Sequence, residues 1–99
     1  MTARLQVRAI RTDGTEFCAN GRVAWALQEL VVAGERGCTA IETPGPRWSS
    51  YVHRLRHDHG LHIETVDEPH GGNFAGRHAR YILRETVEII GLDGGREAA

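Results

Sequence analysis

Between Pro46 and Gly60 the apolar positions repeat with a helical period. Trp48, Tyr51, Val52 and Leu55 fall at i, i+3, i+4 and i+7, which puts all four on one face. Pro46 suits a first helical turn, where its missing N–H is not needed. Gly60 suits the left-handed residue that ends a helix. The spacing predicts a helix over 46–59. Its opposite face carries Ser50, His53, Arg54 and His57, flanked by Arg47 and Ser49, with no carboxylate before Asp58. Such a helix can seat its apolar stripe on a core and turn donors and cations toward an anion.

The same period appears upstream. Val23, Ala26, Leu27, Leu30 and Val31 form the inward stripe of a helix over 21–33, with Trp25 near its edge, Asn20 as its cap and Gly34 as its stop. Between the two helices, Thr39 and Glu42 have the spacing of a capping box and Ile41 can point inward. Pro44 and Gly45 limit this stretch to a very short helix over 39–43. Two amphipathic helices around a short one and a tight turn give a helix-turn-helix outline.

Elsewhere the period is two. Over residues 4–11, Leu5, Val7 and Ala9 alternate with Gln6 and Arg8, as in a half-buried strand. Asp13-Gly14 is a turn dipeptide, and residues 15–18 read as a short return strand. After Gly60, Leu61, Ile63 and Thr65 alternate with His62, Glu64 and Val66. A glycine-rich turn over 69–76 leads to a returning strand over 79–84, so 61–84 reads as a hairpin. Residues 85–90 read as continued strand, able to pair with the N-terminal one, and 91–99 as a disordered tail. One α+β domain over 1–90 is the expectation.

Composition adds charge distribution rather than class. The chain has 99 residues, 40% hydrophobic and 25% charged, with a net charge of −1, which is ordinary for a globular domain. Residues 45–84 hold six arginines, four carboxylates and all six histidines, whereas residues 85–99 hold one arginine and four carboxylates. Positive potential is therefore concentrated in the second long helix and the hairpin, and the acidic end masks it in the total. All twelve cations are arginine. Arginine suits bidentate phosphate and guanine contacts, and a GC-rich bacterial genome produces the same bias. With no lysine, Schiff-base and P-loop lysine chemistry is excluded. Two cysteines without CxxC spacing are read as free, buried thiols. No signal peptide and no apolar run of roughly 18 residues is present, so a cytoplasmic protein without a membrane span is expected.

The runs GRVAWALQELVVAG, GCTAIETPGPRWSSYVHRLRHDHGLHIETV and EPHGGNFAGRHARYIL resemble the small winged helix-turn-helix proteins of bacteriophages and prophages. The carrying positions are Leu55-Arg56, Gly60, Leu61-His62-Ile63, Gly71-Gly72 and Arg80-Tyr81-Ile82-Leu83, and the resemblance covers roughly residues 20–84. It implies a winged helix-turn-helix fold with 61–84 as the wing, and double-stranded DNA as partner. In that arrangement Ser49, Ser50, His53 and Arg54 approach base edges, and Arg47 and His57 lie nearer phosphates. On the wing, Arg77 is the candidate for a phosphate or minor groove, with His70, Asn73 and His78 beside it. Asp67 and Glu68 at the base of the wing oppose that contact.

Other chemistries fare worse. His53 and His57 have metal-ligand spacing, but Arg54 stands where a zincin helix carries glutamate, so no metal is expected. Gly71 and Gly76 copy the glycines of a P-loop, yet Arg77-His78 follow them and lead into a strand. No nucleophile elbow and no paired carboxylates occur. The expectation is a non-enzymatic DNA-binding domain without cofactor or small-molecule substrate, a regulator or accessory factor that gains strength from a homodimer or protein partner. The alternative is a protein-interaction module in which Trp48, Tyr51 or Ile89-Ile90 meets another protein.

Overall fold

A computed structural model describes residues 5–71 and 76–93. Asn73 of the wing and residues 94–99 of the expected tail lie outside them.

The chain opens with a hairpin. β1 (Gln6–Arg11) pairs antiparallel with β2 (Glu16–Asn20), Val7 opposite Ala19 and Ala9 opposite Phe17. The Asp13-Gly14 turn is closed by the Gly14 N–H on the Arg11 carbonyl, 2.9 Å, and by the Thr15 N–H on Asp13 Oδ1, 2.9 Å. α1 (Gly21–Ala33) follows without a spacer, its first N–H donating to the Leu5 carbonyl at 2.7 Å. Asn20 is therefore the last residue of β2, and its side chain makes no capping bond.

A 3-10 turn (Gly34–Arg36) leads into β3 (Cys38–Thr39), where a short helix over 39–43 was expected. Thr39 does use its hydroxyl as a cap would, accepting the Glu42 N–H at 3.0 Å, and its carbonyl accepts the Thr43 N–H at 2.8 Å. The helix stops at that single turn because Cys38 and Thr39 pair with Tyr81 and Arg80, and because Pro44 follows. The Glu42 carboxylate goes to Arg80, 3.0 Å, and so does not close the box.

Gly45 then passes over the Trp25 ring so closely that a Cβ there would lie 2.5 Å from it. Trp48 donates its indole N–H to the Thr43 carbonyl at 2.8 Å and stacks on Tyr81 with centroids 5.9 Å apart. The turn is thus held by aromatic rings from three elements.

α2 (Trp48–His59) starts two residues later than the position of Pro46 implied. Arg47 precedes it in the left-handed conformation, φ 67°, which is uncommon for a residue with a side chain. Gly60, φ 68°, ends the helix, and its N–H and that of Leu61 return to the Arg56 and Leu55 carbonyls.

β4 (Ile63–His70) and β5 (Gly76–Leu83) form the second hairpin, with Ile63 opposite Leu83 and His70 opposite Gly76. β6 (Val87–Asp93) returns to β1, Arg11 opposite Val87 and Gln6 opposite Asp93, with a bulge between Arg8 and Ala9. Residues 91–93 therefore belong to a strand and not to the tail, because β1 has a second edge that β6 satisfies.

The two sheets, β2-β1-β6 and β3-β5-β4, are antiparallel throughout, and α1 packs against both as well as against α2. Leu27 and Leu30 of α1, Leu55 of α2 and Val7 of β1 are fully buried at their junction. Each contributes about 1.5–3 kcal/mol by leaving water. Cys38 is buried there too, and burial pushes its thiol pKa up. Cys18, read as buried, is exposed on β2, since its neighbours Phe17 and Ala19 take the inward positions. No helix among the described residues is long and apolar enough to cross a membrane.

Candidate nucleic-acid interface

α2 buries the stripe its sequence sets out: Trp48, Tyr51, Val52 and Leu55 are each less than a tenth exposed. Burial also removes Trp48 and Tyr51 from any role as a surface for another protein. The polar residues do not form one face but two rows.

The first row is Ser49, His53 and His57, at four-residue intervals and exposed. The two imidazoles lie against each other, centroids 4.0 Å apart. No third ligand joins them, and no cluster of three metal-ligating side chains occurs among the described residues. This row points away from every packed element and offers ring N–H groups and a hydroxyl, donors and acceptors suited to base edges.

The second row is Arg47, Ser50, Arg54 and Asp58. It forms one wall of a half-open groove of about 560 Å³, whose other wall is the β2–α1 junction with Cys18, Asn20 and Arg22. Arg54 Nε sits 3.5 Å from Asp58 Oδ2, one helical turn on. Both are more than half exposed, so the pair is weak. Arg22 and Arg47 have no carboxylate partner among the described residues. His59 closes the groove and packs on Phe17, centroids 4.8 Å apart. Burial lowers its pKa, against a smaller upward pull from Asp58.

Arg56 is engaged elsewhere. Its guanidinium donates to the Ile63 carbonyl at 2.6 and 3.0 Å and to Thr65 Oγ1 at 2.7 Å, tying α2 to β4.

The wing's cations are matched by carboxylates. Arg77 Nε donates to Asp67 Oδ2 at 2.7 Å across the hairpin, so Arg77 stands in an ion pair and not with the helix set. Arg84 donates to Glu64 at 2.7 Å. Arg80 bridges Glu68 and Glu42 and also donates to the Arg36 carbonyl at 2.8 Å. His78 shares Glu68 through Nε2, 2.8 Å, and faces His70 through Nδ1, 2.8 Å. Arg80 first and His78 second hold the Glu68 carboxyl at a pKa of about 2.

Of the sequence candidates, Arg47, Ser50 and Arg54 are brought together on the groove, Ser49, His53 and His57 on the outer row, and Arg77 is set apart on the wing. Arg22 was not among them. Nothing near it in the chain signals a site, since its relation to Arg47 arises only when α1 packs on α2.

No curated protein and no solved structure matches the chain. A family model does, that of the winged helix domain, over residues 16–93. It takes in β2, α1, the turn, α2, the β4–β5 wing and β6, and β1 and the first turn lie outside it. On this match, which runs from Glu16 to Asp93, the chain belongs to the winged helix domain family.

Proposed function

We propose that the protein binds double-stranded DNA through α2, as a small cytoplasmic regulator or accessory factor of the phage type. The observation that carries this reading is the outward surface of α2. It stands between a tight turn and a wing, it is covered by no other described element, and it presents Ser49, His53 and His57 beside Arg47 and Arg54. In this reading the outer row meets base edges and the arginine row meets phosphates. The matched cations of the wing leave few charges for the backbone, so one copy binds weakly and a second copy or a partner supplies the remainder.

Anisotropy of a labelled duplex, at low and at moderate salt, tests it. Arg47→Ala and Arg54→Ala each weaken binding severalfold and lower the salt slope by about one. Absence of duplex binding at low salt overturns the reading.

A second reading, a protein-interaction module without DNA binding, is favoured by the edge strand β6. Its Leu92 is 61% exposed and its Ile90 41% exposed. Strand edges with large apolar side chains are where another chain adds. Retention of a partner by the wild type and its loss in Leu92→Arg, with duplex binding absent, would select this reading.

A further inference from the structure

The groove between α2 and the β2–α1 junction has features that a DNA-reading helix alone does not need. It is a concavity of about 560 Å³, within the range of small-molecule sites. Three arginines line it, Arg22 from α1, Arg47 just before α2 and Arg54 within α2, with Asp58 as the carboxylate beside Arg54. That leaves two positive charges. Ala19, Val23 and Tyr51 supply an apolar floor between the cations. Arginine forks recognise planar or tetrahedral oxyanions bidentately, and a phosphate monoester near neutral pH carries a charge close to two.

We propose that this groove binds a small organic phosphate, its phosphoryl group held by Arg22 and Arg47 and its short apolar body lying on Val23 and Tyr51. Arg54 is the third cation, half-withheld by its pairing with Asp58. His59, whose pKa burial lowers, closes one end of the seat. The site does not depend on the DNA reading. One consequence does rest on it: because Arg47 and Arg54 serve both, an occupied groove competes with the duplex, and the ligand releases the protein from DNA.

The test is a titration of the ¹⁵N-labelled full chain with phenyl phosphate, with inorganic phosphate, and separately with a short duplex. Phenyl phosphate is expected to shift the amides of Asn20, Val23 and Ser50 saturably. Arg22→Gln weakens this about tenfold, whereas Asp58→Asn, which releases Arg54, tightens it. Arg22 is exposed and makes no ion pair among the described residues, so its variant keeps the fold, and the gain in Asp58→Asn has the opposite sign from any structural damage. Shifts centred on His53 and His57, shifts that never saturate, or affinity unchanged in Arg22→Gln overturn the site. Groove shifts produced by the duplex alone overturn it too, and make the same arginines a backbone-phosphate contact. Saturation by phenyl phosphate with no duplex binding supports the site and overturns the DNA reading. Binding of both without mutual displacement overturns the competition.

Discussion

Arg56, on α2, donates its guanidinium to the carbonyl oxygen of Ile63, the first residue of β4, at 2.6 and 3.0 Å. The bond spans the Gly60 bend and sets the angle at which the wing leaves the helix. Charged donors make the stronger hydrogen bonds, so Arg56→Ala should cost about 1–2 kcal/mol of stability. Urea unfolding measures it. Arg54→Ala, which loses only a weak exposed pair, serves as the comparison and should fall within about 0.5 kcal/mol of wild type.

The wing pair Arg77–Asp67, 2.7 Å, holds back a cation that the wing could offer a phosphate. If the protein binds duplex DNA as proposed, Asp67→Asn should raise duplex affinity about threefold at low salt and steepen the salt dependence. Unchanged anisotropy titrations in that variant would exclude Arg77 from the interface.

Acid stability should report on Glu68. Its folded pKa, about 2, is depressed below the ordinary 4.5 by Arg80 and then by His78. A depressed carboxylate stabilises the fold fully above pH 4.5 and loses that contribution as pH falls through about 2. Thermal melts across this window should fall more steeply for wild type than for Glu68→Gln, which starts lower at neutral pH and has less to lose.

Gly45 lies where the chain crosses Trp25, with room for no side chain. Gly45→Ala should therefore displace either the ring or the turn and destabilise by about 1–3 kcal/mol, as overpacking does. Tryptophan fluorescence should shift with it, since Trp25 and Trp48 touch, centroids 5.3 Å apart.

What could be read from the chain follows from how local each signal is. The stripe Trp48, Tyr51, Val52, Leu55 and the Gly60 stop are periodic and short-range, and they fold as they read. The alternation through Ile63 and Tyr81 likewise becomes the wing. Thr39 misled because its capping signal is real but local, and a pairing with Arg80, far along the chain, outweighs it. Leu92 and Asp93 join a strand only because β1 lies beside them. The division of the helix's polar face into two rows was hidden for the same reason. Ser50 and Arg54 differ from His53 and His57 only in what stands opposite, and that is Asn20 and Arg22.

The sheet β2-β1-β6 joins nearly opposite ends of the described chain, and Arg11 meets Glu85 across 74 residues, Nε to Oε1 at 2.8 Å. On the ribosome, β1 and β2 emerge before β6, and the second edge of β1 stays bare until β6 has left the exit tunnel. Closing so long a span costs entropy before any contact is gained. The helices and wing can settle first, while β6 acts as the latch. A nascent chain paused before Val87 therefore leaves the second edge of β1 open to pairing with a neighbouring chain.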